Sequence, residues 1–204
     1  MPSSLRLSAL WAMVLFCTAG ISQSAPITYT ASLEPESVGA TGAGNTIVDI
    51  DTVAHTLRVR ATWSGLSGVT TVSHIHAPTA LPFTGNASVA TQVPTFAGFP
   101  VGVTAGSMDQ TLDTSLASSW NPAFITANGG TPLTAEAAFA GFVASGRSYL
   151  NIHSSTFGGG EIRGYLSVLV IPEPTTALIA LMGVGVVACR RCLFAVRRPG
   201  LIVT

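Results

Sequence analysis

Short runs in which apolar and polar residues alternate fill the chain from residue 27 to about residue 170. In T-L-R-V-R-A-T-W (56–63), every second residue is apolar, and Arg58, Arg60 and Thr62 occupy the positions between them. A period of two is typical of antiparallel strands with one buried face. Because Gly-rich turns separate the runs, the pattern predicts seven or eight short strands in a mostly β fold, an antiparallel sandwich or barrel.

One segment departs from the strand pattern. Thr131 stands before Pro132, the following residues are rich in Ala with Phe139 among them, and Gly146 ends the segment. These are start, interior and stop signals of a helix, so we expect one short helix at an end of the β domain. We expect the Pro-rich segment 77–98 to be a long surface loop. The remaining predicted strands are 27–33, 45–51, 74–76, 99–103, 107–113, 148–153 and 161–169.

Both ends of the chain predict targeting segments. Residues 1–24 contain one Arg, a short apolar stretch and then small residues, which is typical of a cleaved secretory signal. The uncharged run 175–189 would form a helix of only ~22 Å, shorter than the ~30 Å hydrocarbon core of a bilayer. We therefore predict a signal peptide (1–24), a β domain (25–171) and a C-terminal segment (172–204) that contains a transmembrane-type helix.

A short motif stands before this apolar run and an arginine cluster follows it. The motif is Pro172, Glu173 and Pro174, and the basic stop is Arg190, Arg191, Arg197 and Arg198. This order resembles the PEP-CTERM sorting signal of bacteria. The resemblance implies that the tail holds the exported chain in the inner membrane until an exosortase-type enzyme cuts near the motif. The protein would then reach the cell surface or the extracellular space. A plain C-terminal anchor, with its basic end in the cytoplasm, is the alternative.

Composition narrows the choice of partners. Only 9% of the residues are charged and there is no Lys. Residues 26–171 carry four Arg against eight acidic residues, a net charge of −4, and no basic patch interleaved with aromatics, which argues against a nucleic-acid partner. All three cysteines (Cys17, Cys189 and Cys192) lie outside the β domain, so the domain must be held by its core alone. The C-R-R-C pair has metal or redox spacing but lacks a second pair.

Histidines are the candidate chemistry of the β domain. His74 and His76 stand two apart on a predicted strand and therefore share one face. His153 shares a face with Asn151 on another strand. Three imidazoles converging from two strands would suit Zn or Cu, and Glu161 could be a fourth ligand. The alternative is that these histidines are structural and bond to the backbone at the edge of the β domain.

Three sequence motifs in order carry a family resemblance: H-I-H-A-P, Y-L-N-I-H-S and G-E-I-R-G-Y. Together they resemble the CHRD domain over residues 27–168, with Ala77 where Gly is usual and Tyr165 where Gln is usual. The resemblance implies an immunoglobulin-like or Greek-key β fold and a binding or structural role. The signature residues that it carries over are His74, His76, Asn151, His153, Glu161 and Arg163. Without a metal, we expect them to form a polar cluster that ties the last two strands together.

The expected function is that of an exported surface protein rather than an enzyme. No nucleophile–base pair stands out, no cofactor is implied, and the expected partners are extracellular polysaccharide or other surface proteins. The alternative is a Cu or Zn domain distantly similar to copper–zinc superoxide dismutase, which also has a His-x-His strand. The four histidines of the chain are too few for a complete dismutase site. Hydrolysis by paired carboxylates is a third option, although the eight acids scatter over turns and strands, where charges are usually solvated.

Overall fold

The computed structural model describes residues 25–169. The predicted signal peptide (1–24) and the predicted sorting segment (172–204) lie outside the described residues. The described elements, in chain order, are β1 (Ile27–Pro35), β2 (Ala43–Asp51), β3 (Thr56–Ser64), β4 (Thr70–His76), β5 (Gly106–Asp113), a 3-10 turn (Ala117–Ser119), α1 (Pro122–Ala127), α2 (Pro132–Ala144), β6 (Tyr149–Ser154), β7 (Ile162–Tyr165) and β8 (Ser167–Val168).

The strands form one curled antiparallel sheet, shaped like half a barrel. Its order is β4-β6-β7-β1-β2-β3-β5, and β8 pairs with β1. Strand β1 connects the two parts of the sheet, because most of its length pairs with β2 while its last residues pair with β7. The prediction of a mostly β, antiparallel domain is confirmed.

The alternation in the sequence becomes an inside and an outside of the sheet. On β3, Leu57 and Val59 are buried in the core, and Arg58 between them is exposed. On the outer face Arg58 pairs with Asp109 of β5 at 2.6 Å, and Arg60 pairs with Asp49 of β2 at 2.6 Å. The Arg58–Asp109 pair is exposed, and exposed pairs stabilise a fold by only about 0–1 kcal/mol, so burial of the apolar face contributes more to stability than this pair does.

Helix α2 begins and ends where its sequence signals predict. Thr131 caps it by accepting a hydrogen bond from Thr134 N at 3.2 Å, and Gly146 just beyond its end has φ +69°. A second helix, α1, was not predicted; its N-cap is Asn121, and its Phe124 is buried. In the stretch 25–169 neither helix has the length and apolarity needed to cross a membrane.

Two sequence predictions are wrong, one of a strand and one of a surface loop. The predicted strand 99–103 is irregular, because Pro100 cannot donate to a ladder and Gly102 has φ +80°. The segment 77–98 is not simply a surface loop, since it buries Ala90 and Phe96 in the core. It folds back along β4, the strand that carries two of the candidate histidines.

Candidate metal centre

The structure brings His74, His76 and His153 together; we call these three residues the histidine cluster. Strands β4 and β6 are neighbours in the sheet, with His74 directly opposite Asn151 and His76 opposite Tyr149. All three histidines are buried, and one ring nitrogen from each lies within 4.8 Å of those of the other two. His74 and His76 lie two residues apart on β4 and therefore share a face of the sheet. His153, two residues from Asn151 on β6, lies on that same face.

Each ring is anchored to the backbone of a loop. The bonds join His74 Nε2 to Pro94 O at 2.5 Å, His76 Nδ1 to Ala87 O at 2.8 Å and His153 Nδ1 to Gly158 O at 2.9 Å. A carbonyl oxygen only accepts, so the bonded nitrogen carries the hydrogen, and in a neutral ring the other nitrogen keeps its lone pair. Those other nitrogens, Nδ1 of His74 and Nε2 of His76 and His153, are buried without a hydrogen-bond partner.

Burial keeps two of these rings neutral. Desolvation lowers the pKa of His76 to about 4, against the opposing effect of its bond to the Ala87 carbonyl. Desolvation also lowers the pKa of His74, again opposed by a backbone carbonyl, that of Pro94. At neutral pH both rings are therefore in the form that binds metal ions.

Aromatic contacts fix the His76 ring in place. It stacks on Tyr149, with ring centroids 4.8 Å apart and planes 5° apart. The guanidinium of Arg163 lies 5.2 Å from the centroid of the same tyrosine ring. The Tyr149 hydroxyl accepts a hydrogen bond from Ala87 N at 3.2 Å, so the loop that anchors His76 is also held by the residue on which His76 stacks.

The polar cluster beside the histidines is built on a different carboxylate from the one expected. Asn151 Nδ2 donates to Glu36 Oε1 at 3.0 Å, and Arg163 Nε lies 3.1 Å from Glu36 Oε2. Glu161, the acid of the sequence prediction, is fully buried elsewhere and accepts from Ser67 N and Oγ at 2.5 and 2.7 Å. Among the described residues it does not belong to the group of candidate ligands.

The electrostatic role of Glu161 is local. Burial raises the pKa of its carboxyl, but hydrogen bonding to the carboxylate, from Ser67 N and Oγ among others, outweighs burial and holds the pKa below its usual value. The ionised carboxylate thus fastens the β3–β4 connection to the start of β7. It serves the fold, and among the described residues the cluster of candidate ligands consists of histidines alone.

A cavity of about 330 Å³ opens beside the cluster, and we call it the Asn151 cavity. Its lining residues are Glu36, Ser37, His76, Asn86, Ala87, Tyr149, Asn151, Gly159 and Arg163. His76 therefore belongs both to the histidine cluster and to the cavity wall. Glu36 and Tyr149 were missed by the sequence analysis, since Glu36 lies in the turn after β1 with no motif around it.

The fourth histidine, His55, has a separate role. Its Nδ1 lies 2.8 Å from Glu136 Oε2 of α2, and Thr114 donates to the other oxygen of the same carboxylate. Glu136 is buried, contrary to the expectation that the acids lie on the surface. These bonds fasten α2 to the β2–β3 turn, away from the histidine cluster.

The fold and the site define a class: a mostly β antiparallel domain that carries a buried cluster of three histidines. Comparison with known proteins gives the family. The CHRD domain model matches residues 25–166, which is more than half of the chain, so the chain belongs to the CHRD family. No curated protein and no solved structure matches it.

Proposed function

We propose that this CHRD-family protein is exported and that its β domain binds a divalent transition-metal ion, Zn²⁺ or Cu²⁺, through His74, His76 and His153. One observation carries the proposal: three buried ring nitrogens have no hydrogen-bond partner, and each of the three rings has a nitrogen within 4.8 Å of a nitrogen of the other two. A buried polar atom without a partner costs about 1–3 kcal/mol, and a shared metal ion would remove that cost at three atoms together.

The arrangement also has the support that metal-binding histidines need. In metal sites the second ring nitrogen usually donates to a carbonyl or carboxylate, which fixes the ring and its tautomer. Here three loop carbonyls do this. Zn–N bonds of about 2.0–2.1 Å place tetrahedral nitrogens about 3.4 Å apart, so small side-chain rotations would close the cluster around an ion. Imidazole suits both Zn and Cu, with Cu²⁺ bound more tightly in general.

Metal analysis of the full chain tests this proposal. The chain would be purified in mild detergent with Cys189→Ser and Cys192→Ser, so that the C-R-R-C pair cannot bind metal itself. After equilibration with Zn²⁺ or Cu²⁺ and removal of free metal, we expect about one ion per chain by elemental analysis. His76→Ala should lower the affinity at least tenfold, because it removes one of three ligands.

The fourth histidine supplies a matched control for His76→Ala. His55 lies outside the cluster with φ +54°, a conformation that Asn tolerates, so His55→Asn removes an imidazole without moving the site. It should leave metal binding unchanged. A full chain that stays metal-free in excess zinc and copper would overturn the proposal, as would equal losses in the two variants.

Export and sorting form the second part of the proposal. The P-E-P motif, the apolar run and the arginine cluster support anchoring in the inner membrane, cleavage by an exosortase-type enzyme and release to the cell surface. Extracellular polysaccharide or other surface proteins would be its neighbours there.

The immunoglobulin-like, Greek-key fold class of the β domain also stays a proposal, supported by the curled antiparallel sheet.

Intact-mass measurement of the mature protein tests the sorting proposal. We expect a chain that lacks residues 1–24 and ends close to Pro172–Pro174 in cells that have the processing enzyme. In cells without it, the tail should remain and the protein should fractionate with the inner membrane. A mature protein that keeps Arg190 to Arg198 in both strains would support the plain anchor instead.

A further inference from the structure

The histidine cluster offers one ligand fewer than a tetrahedral ion takes. Zn²⁺ and Co²⁺ commonly bind four ligands, and a protein site with three leaves the fourth position to water or to another small ligand. Within residues 25–169, no carboxylate or thiolate joins the three histidines. Glu36 is paired with Arg163 and bonded to Asn151, and Glu161 lies outside the group of candidate ligands, with Oε1 bonded to Ser67 and Oε2 buried without a partner.

The Asn151 cavity borders the histidine cluster at His76. Its volume is about 330 Å³, against the ~10–15 Å³ that one water molecule needs by the same measure. His76 forms part of its wall, so the cavity reaches a ring of the histidine cluster. The charges of Glu36 and Arg163 in the wall offset each other, which leaves the positive charge of a bound metal ion to attract an anion.

Asn151 points to the chemistry of the ligand. It is 2% exposed and lines the cavity. Glu36 holds its amide with Nδ2 as the donor, and its Oδ1 is buried without a partner. A buried amide oxygen is an acceptor only, and leaving it unpaired is costly. The ligand that completes the site should therefore present a hydrogen to Asn151 Oδ1.

We propose that the Asn151 cavity admits an exchangeable oxygen ligand to the metal ion, and that Asn151 selects one with an O–H group: water, or hydrogen carbonate among small oxyanions. This rests on the proposed metal binding. An oxygen lone pair would bind the ion while the O–H donates to Asn151 Oδ1. Formate is a planar monoanion without an O–H group, so it gains nothing from Asn151.

Cobalt spectroscopy on the full chain tests the proposal. The chain, with Cys189→Ser and Cys192→Ser, would be loaded with Co²⁺, whose visible absorption changes when a ligand is exchanged. We expect hydrogen carbonate and formate each to shift the visible bands saturably. Asn151→Ala should weaken hydrogen carbonate binding about fivefold, the effect of one hydrogen bond, and leave formate binding unchanged.

Two further variants keep the result interpretable. Asn45→Ala removes an exposed amide on β2 outside the cavity and should change neither affinity. Glu36→Ala keeps Asn151 but frees its amide to turn, so it should lower the ratio of hydrogen carbonate to formate affinity about two- to threefold. That ratio is the readout for both cavity variants, and it also tests the proposal if Asn151→Ala does not fold.

The outcomes distinguish failure of this proposal from failure of the metal-binding proposal on which it rests. If the chain binds no Co²⁺, the proposed metal function itself fails. If Co²⁺ binds at one per chain but neither anion shifts the spectrum, the metal function stands and the exchangeable ligand is overturned. If Asn151→Ala and Glu36→Ala leave the ratio of affinities unchanged, selection by Asn151 is overturned.

Discussion

At the scale of the residue, the two interpretations of H-I-H turn out to concern different atoms of the same rings. The structural interpretation holds for one nitrogen of each histidine, which bonds to a loop carbonyl. The metal interpretation concerns the other nitrogen, which has no partner. Because a carbonyl bond fixes the tautomer, the structural role prepares each ring for the proposed chemical one.

Gly160 lies directly against Glu36 and Asn151. Its φ is +131°, and a Cβ there would collide with Glu36 Oε1 and lie 2.7 Å from Asn151 Oδ1. We expect Gly160→Ala to lower the free energy of unfolding by about 1–3 kcal/mol, measured by chemical denaturation. Gly159→Ala is the control, because its Cβ would meet nothing within 4 Å. Equal stability of the two variants would contradict the geometry described for Glu36 and Asn151.

At the scale of the element, helix α2 acts as an apolar cover on one end of the sheet. Phe139 is 1% exposed, with its ring centroid 5.3 Å from that of Trp120 and 6.4 Å from that of Phe124. We expect Phe139→Ala to destabilise the domain by about 3–5 kcal/mol, again by denaturation. Leu133→Ala on the same helix, at a side chain 51% exposed, should change stability by less than about 0.5 kcal/mol. A Phe139→Ala cost below about 1 kcal/mol would show that α2 does not cover the core.

The elements were predictable to the extent that their signals are local. The alternation along β3 depends only on neighbouring residues, and so do the start, interior and stop signals of α2. The structure has both elements where these signals predict them. The segment 99–103 alternates as well, yet its backbone bonds to the start of β4 through Gly102 N and Thr70 O rather than in a ladder. Pro100 within the segment was the local sign against a strand.

At the scale of the whole molecule, the candidate site is assembled from distant parts of the chain. Two strands supply the rings, while the carbonyls come from two positions in the segment 77–98 and from the β6–β7 turn. Sequence spacing could indicate that His74 and His76 share a face, and the motif order could associate them with His153. Neither signal could indicate that Glu36, rather than Glu161, bonds to Asn151, because that contact depends on the path of β1 alongside β7.

The most direct test of the central claim is anomalous diffraction at the zinc absorption edge from crystals of the chain soaked in Zn²⁺. We expect one strong peak between His74, His76 and His153, about 2.0–2.1 Å from one ring nitrogen of each. The peak should be absent from crystals of the His76→Ala variant. Zinc bound only elsewhere, or no peak at saturating zinc, would contradict the claim that this CHRD domain is a metal-binding domain.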